Sequence, residues 1–238
     1  MATALDVDAG RVQVVSTSES SSFLGRVFAG RRESSILRNE REYSSALSEA
    51  ATEDFSDLDQ LGFLSVPGGR DKEGRQVVMV AAKNYPARVL KTDRVFRYFA
   101  HTLDALVDEP YVVVWLHTGS SYWNNCPSLA WLWRTYERLP CKYRTNLARL
   151  FVVHCDLPLW GALATLGPLL SADFWRKVEW VSRVEFLWDH IPKKQLLSAL
   201  PAYVAEHDAL LEDQPLMDYG VVASKEVNNV PGLPAPPM

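Results

Sequence analysis

The sequence predicts an α/β layered fold, a mostly parallel sheet flanked by helices. Three observations predict it. A short fourth strand at 178–181, Val-Glu-Trp-Val, follows apolar runs at 77–82, 111–116 and 150–153 that lack the polar alternation of a half-exposed strand. Uninterrupted runs of this kind are how strands buried on both faces of a parallel sheet read. Segments with apolar residues at helical spacing lie between them, so strand and helix alternate four times. Turn-forming residues, Pro67-Gly68-Gly69, Pro110 and Pro140, punctuate the alternation.

The elements follow in order. Residues 1–66 carry 6 basic and 11 acidic side chains and a serine run. Such sequence buries too little apolar surface to offset ordering entropy, which predicts a largely disordered N-terminal region. Within it Ile36, Tyr43 and Leu47 could share one helix face. The folded domain is expected at 67–214. Val77–Ala82 forms its first strand. Thr92 or Asp93 then caps a helix to Val107, with Val95, Phe96, Phe99, Leu103 and Leu106 on its apolar face. Tyr111–Leu116 is the second strand. After a polar loop, Ser128 caps a helix bearing Leu129, Leu132, Trp133, Tyr136 and Leu139, and Pro140 ends it. Leu150–Val153 is the third strand and Val178–Val181 the fourth. Ser182 opens a short helix, and a last one is expected over Lys193–Leu200. Residues 215–238 form a Pro-rich tail with no packed element. Right-handed crossovers are expected to put helices on both faces of the sheet.

Composition narrows the function. The chain has 238 residues, 47% of them hydrophobic and 23% charged, and a net charge of −4. That is a globular composition, and the charge argues against nucleic acid as a partner. Cys126, Cys141 and Cys155 are too few, and too evenly spaced, for a disulfide framework or a CxxC zinc site. The N-terminus has no apolar signal core, and the longest charge-free apolar stretch, Leu157–Leu170, is too short to span a bilayer. All eight Trp lie between Trp115 and Trp188. Trp115, Trp133 and Trp180 are expected in the core.

Enzyme signatures are missing. There is no GxSxG elbow, no GxGxxG loop and no phosphate loop; the first strand is followed by Lys83-Asn84-Tyr85-Pro86. His117 and His154 each follow a strand directly, and with Ser120 and Asp156 a hydrolytic site can be drawn. The alternative is that each imidazole bonds loop backbone and ends its strand. A zinc site from His117, His154 and Cys155 has no support from spacing.

Two segments stand out. Leu157–Leu170 has Thr165 as its single polar side chain. Such a helix is buried, lines an apolar cavity or faces a membrane. Phe174-Trp175-Arg176-Lys177 follows it. The second segment is basic: Arg134, Arg138, Lys142, Arg144 and Arg149 stand against Glu137 alone. It is either a solvated face or a docking patch for anionic lipid or an acidic protein.

The runs FRYFAHTLDALVDEPYVVVWLHTG, PSLAWLWRTYERLPCKYRTNLARLFVVHCD and LGPLLSADFWRKVEWVSRVEFLWDHIPKKQL resemble, in order and spacing, the divergent branch of the CRAL-TRIO lipid-binding domain family. This is the BCH-type branch found in Rho GTPase-activating and ganglioside-induced differentiation-associated proteins. The resemblance covers about 74–213. It implies a CRAL-TRIO-like layered fold in which a parallel sheet and a mobile apolar gate helix enclose a lipid pocket. It implies that Trp160, Leu163, Leu166, Leu170, Phe174 and Trp175 form that gate and pocket wall. It also implies contact with Rho-type small GTPases and recruitment to membranes. Three features depart from the family. No preceding helical domain is expected in 1–66, no GTPase-activating domain is expected in the residues after 215, and the turn after the third strand reads His154-Cys155-Asp156. The expectation is a non-enzymatic, cytoplasmic module without a cofactor. It would bind a lipid or other hydrophobic ligand and contact membranes peripherally, with Arg134, Arg138, Lys142 and Arg144 facing the membrane or a partner. The alternative is a protein-interaction adaptor for a Rho-type GTPase with no open pocket.

Overall fold

Five strands form one sheet in the order in which the chain makes them. The computed structural model describes residues 36–167 and 170–213. Helix α1 covers 36–50, and α2 is Ser56–Leu61. Strands β1 (Leu64–Ser65) and β2 (Gln76–Ala81) pair antiparallel. Then come α3 (Thr92–Leu103), β3 (Tyr111–Leu116), α4 (Tyr122–Asn125), α5 (Leu129–Arg138) and α6 (Cys141–Thr145). Strand β4 is Leu147–Val153, followed by α7 (Leu157–Leu166), α8 (Ala172–Lys177) and β5 (Val178–Val181). A 3₁₀ turn over Val184–Asp189, α9 (Lys193–Ala199) and α10 (Ala202–Asp213) close the chain. Strands β2 to β5 are parallel.

The order explains a correction. With the strands laid down in sequence, every crossover steps in the same direction. Crossovers of one hand stepping one way all land on one face. The contacts agree. Val78, Val80, Tyr111 and Leu147 pack with Phe96 and Tyr98 of α3 and Tyr143 of α6, joined by Trp131 of α5 and Phe174 of α8. The alternate strand residues, Val77, Met79, Val112, Val114, Phe151 and Val153, pack with Leu187, Leu196 of α9 and Val204 of α10. Helices do cover both faces. The second face, however, is covered by chain after β5 and not by crossovers.

Other departures have local causes. Thr92 is the first residue of α3 and not its cap; Lys91 takes that position. The helix stops at Leu103, and a 3₁₀ turn over Leu106–Asp108 replaces its last turn. Ser128 caps α5 as expected, its Oγ accepting from Trp131 N at 3.3 Å. The segment after Ser182 is 3₁₀ and not α.

The expected boundary at 66/67 does not separate packed from unpacked chain. Tyr43, Ala46, Ala50, Phe55, Leu58, Phe63 and Leu64 all belong to the core of the first face. Tyr43 Oη donates to Asp104 Oδ1 at 2.6 Å and meets Tyr143 Oη at 2.9 Å. Arg94 and Arg97 of α3 reach Glu53 and Asp57. The charge that made this segment look disordered is thus used against α3. Residues 1–35 and 215–238 lie outside the described residues, as do the disorder expectations for them.

Trp180 corrects another expectation. It is 45% exposed, because β5 is the edge strand.

Candidate functional site

The central strand carries the first sign of a site. Strand β3 lies between β2 and β4. Its residues toward the second face, Val112, Val114 and Leu116, are fully buried. Val113 and Trp115, toward the first face, are only partly buried. Both line a cavity of about 240 Å³. Its floor is Val78 and Val80 of β2 with Tyr111, Val113 and Trp115 of β3. Phe99 and Leu103 of α3 form one side, with Phe63 and Tyr85 near them. Trp131, Leu132, Thr135 and Leu139 at α5 form the roof, and Tyr143 and Pro127 complete it.

The roof is helical because Ser128 caps it and its apolar residues recur on one face. None of the described side chains of α5 is fully buried, whereas α3 buries five. Trp131 of α5 packs against the first-face core while staying partly exposed, and the cavity lies beside it.

The wall's polar groups are mostly turned into the protein. Tyr111 Oη donates to Tyr143 O at 2.7 Å. Asn125 Nδ2 donates to the Lys83 and Tyr85 carbonyls at 2.8 and 3.1 Å. Burial pushes the phenols of Tyr111 and Tyr143 well above their usual range, so both stay neutral. Tyr85 Oη and Trp115 Nε1 are different. Each is buried with no hydrogen-bond partner among the described residues.

The predicted gate residues lie elsewhere. None of Trp160, Leu163, Leu166, Leu170, Phe174 and Trp175 is in the cavity lining. Trp160 is 57% exposed on α7. With Trp180, Leu157, Cys155 and Asp156 it lines a surface groove of about 340 Å³. Leu163 and Leu170 are half-buried, and the side chain of Leu166 is outside the described set. Phe174 packs against the first-face core and meets Tyr136 edge-on. Trp175 Nε1 donates to Gly167 O at 3.2 Å. The cavity residues lacked a sequence signal because Trp115, Phe99 and Leu132 read as ordinary core. Only packing shows that space remains between them.

The basic segment is partly neutralised by residues distant in sequence. Arg138 pairs with Glu42 at 3.2 Å and sits over the Phe96 ring at 4.3 Å. Lys142 pairs with Asp104 at 2.7 Å and Asp108 at 2.9 Å. Burial pushes the Asp104 carboxyl up, but its bonds with Lys142 and Tyr43 outweigh that and hold it below the ordinary range. Arg134 is exposed, and Arg144 lies over the Tyr136 ring.

The histidines hold chain ends. His117 Nε2 meets Asp156 Oδ1 at 3.0 Å, and Asp156 caps α7 by accepting from Leu159 N at 2.9 Å. The other ring nitrogen of His117 is buried with no hydrogen-bond partner among the described residues. His154 has φ +52°, a left-handed conformation that strains a side chain with a Cβ. Its ring is held by Thr118 Oγ1 at 2.8 Å and Asp208 Oδ1 at 3.0 Å. Among the described residues no group of three His, Cys, Asp or Glu could hold a metal ion.

Comparison with known proteins decides the family. Residues 74–210 match the model of the divergent CRAL/TRIO domain. The chain belongs to the divergent CRAL/TRIO domain family. Members of this family are generally non-enzymatic modules of the lipid-binding type. Relatives include Rho GTPase-activating protein gacY of Dictyostelium discoideum, 31% identical over 72% of this chain and 23% of the relative. A GDAP2 homolog of Drosophila melanogaster is 32% identical over 72% of this chain and 31% of its own length. Rho GTPase-activating protein 8 of Mus musculus is 34% identical over 67% and 37%. This divergent CRAL/TRIO chain therefore spans about a quarter to a third of such relatives. The crystal structure of Sfh5 superposes with a TM-score of 0.44 at 14% identity, covering 61% of this chain and 56% of that one. Among the described residues no helix is long and apolar enough to cross a membrane.

Proposed function

We propose that this divergent CRAL/TRIO domain binds a hydrophobic ligand in the cavity between the sheet and α5, and that it works at membrane surfaces. The cavity carries the proposal. It is walled by apolar side chains and roofed by a helix that buries none of its own described residues. A ligand would supply the dispersion contacts the protein leaves unmade. In this reading α7 and α8, with Trp160, Leu163, Leu166, Leu170, Phe174 and Trp175, regulate access beside α5. Exposed Leu157, Trp160 and Trp180 suit the apolar side of a membrane interface. Arg134 and Arg144, which Asp and Glu leave less engaged than Arg138 and Lys142, would face headgroups. Gentle purification followed by native mass spectrometry tests this. An added mass that organic extraction removes is expected; a bare mass after incubation with cell lipid counts against it.

A second reading is favoured by the names of the relatives, several of which are Rho GTPase-activating proteins. The domain would recruit a Rho-type GTPase or its regulator, using Arg134 and the exposed aromatic surface. A pull-down with purified small GTPases, loaded with GDP or GTP, separates the two. Capture that survives filling the cavity would favour the adaptor.

A further inference from the structure

We propose that the chain after α10 folds back as a strap over the groove between α7 and β5, with 216–222 laying Tyr219 and Val221 against Trp160 and Trp180. This stands apart from the ligand-binding reading and concerns a different surface. The groove, of about 340 Å³, is lined by Cys155, Asp156, Leu157, Trp160 and Trp180. Leu157, Trp160 and Trp180 are large apolar side chains left exposed. The single carboxylate of the lining is already engaged, since Asp156 Oδ1 meets His117 Nε2 and accepts from Leu159 N. What the groove offers an occupant is therefore apolar area and aromatic faces, which suit aliphatic and aromatic side chains.

Area favours a tethered occupant. Three half-exposed side chains of this size offer roughly 300 Å². A stable complex between separate chains buries roughly 800 Å² on each partner. A segment of the same chain needs less, because attachment holds it near the groove at an effective concentration on the order of millimolar.

Helix α10 brings the chain to the right place. Its Asp208 carboxylate bonds the His154 ring and accepts from Val184 N, and its carbonyl accepts from Arg183. His154 directly precedes Cys155 of the groove. From Asp208 the helix runs on to Asp213, about 7.5 Å further. Extended chain covers roughly 3.3 Å per residue, so 214–219 spans about 20 Å. That reach returns to Cys155 and passes on to Trp180 whichever way α10 points. Trp180 is in register with Val152 and Trp115, on the cavity side of the sheet, whereas Val204 of α10 lies on the other side. The passage between the two leads past β5, the edge strand. The residues that arrive are of the right kind. Leu216, Met217, Tyr219, Val221 and Val222 fall close together, with Asp218 the only charge among 216–222 and no proline between Pro215 and Pro231. In extended chain Tyr219 and Val221 point to one side. The surface so covered is the one assigned above to membrane contact, so strap and membrane compete for it.

Cys155 reports occupancy, since it lies in the groove, while Cys141 is exposed on α6. Alkylation of the full chain by iodoacetamide, read at each thiol by peptide mass spectrometry, is compared with that of a chain lacking 216–222. The deletion should speed labelling of Cys155 about fivefold, as expected when a tethered segment of sub-millimolar affinity is removed, and leave Cys141 unchanged. Tyr219→Asp combined with Val221→Asp should do the same, and Val230→Asp should not. In a Trp160→Ala background the deletion should add less than about twofold. Equal Cys155 rates with and without 216–222 overturn the proposal. So does a rate raised by the deletion but not by the paired Asp substitutions, which would place the effect in α10. Protection that fades on dilution also overturns it, because the cover would then be a second copy. Flotation with phosphatidylserine-containing vesicles separates the two readings. More flotation after the deletion supports the competition, and equal flotation of both chains overturns it. If the deletion frees Cys155 and neither chain floats, the membrane reading falls and the strap stands.

Discussion

The two faces of one sheet differ in how they are closed. Toward the second face, alternate residues of β2, β3 and β4 meet Leu187, Ile191, Leu196 and Val204 and are buried almost completely. Toward the first face, Val113 and Trp115 of the same central strand border a cavity. The strands are equally apolar on both sides, so the strand sequence does not create the difference. It comes from what lies on top. The second face is closed by chain that follows the sheet and carries a compact set of branched residues. The first face is closed by the chain over 36–66 together with crossover helices whose positions are tied to the strands they connect. Of these, α5 carries bulky Trp131 and Trp133, and none of its described side chains reaches full burial.

The largest expected effect lies on the filled face. Phe151→Ala should destabilise the fold by about 3–5 kcal/mol, while Val113→Ala on the cavity face should cost less than about 1 kcal/mol. Urea denaturation measures both, and comparable costs would break the distinction between the faces. Next comes the tie between α1 and the first face. Tyr43→Phe removes a buried hydroxyl bonded to Asp104 and Tyr143 and should cost about 1–3 kcal/mol. Faster proteolysis within 36–50 should accompany it.

Asp104 also supplies a pH test. Its folded pKa is depressed, so the stability it contributes is fully present above the unfolded carboxylate value, near pH 4. That contribution is lost as pH falls through the lower folded value. Asp104→Asn should be less stable at pH 7 and should show a shallower loss on acidification below about pH 4. A parallel acid limb would contradict the assignment. A smaller effect is expected at the start of α7. Asp156→Ala removes the helix cap and leaves His117 unpaired, costing about 1 kcal/mol. The smallest is Arg134→Glu, an exposed change that should leave Tm within about a degree and act only on membrane or partner binding.

The central strands were legible because strands buried on both faces leave long apolar runs, and Tyr111–Leu116 matches its predicted bounds; the edge strand Val178–Val181, with Glu179 and exposed Trp180, also matches its bounds. The helix over Leu129–Arg138 was legible from Ser128 and the spacing of its apolar residues. The short strand Leu64–Ser65 was not, since two residues carry no periodicity. Nor was the packing of 36–66, where partners such as Glu53 with Arg94 and Arg97 lie about forty residues away. The cavity was hidden for a different reason. Val113 and Leu132 read alike whether they touch a neighbour or a void, and only the arrangement of α3, α5 and β3 distinguishes the two.

The central claim is that the space under α5 holds the ligand. Native mass spectrometry of the wild-type chain and of Leu132→Trp, purified side by side and incubated with the same cell lipid extract, tests it most directly. The account predicts an apolar adduct on the wild type and a bare mass for Leu132→Trp. Equal adducts on both proteins would contradict it and move the binding site elsewhere, with the exposed groove of Trp160 and Trp180 the first place to look.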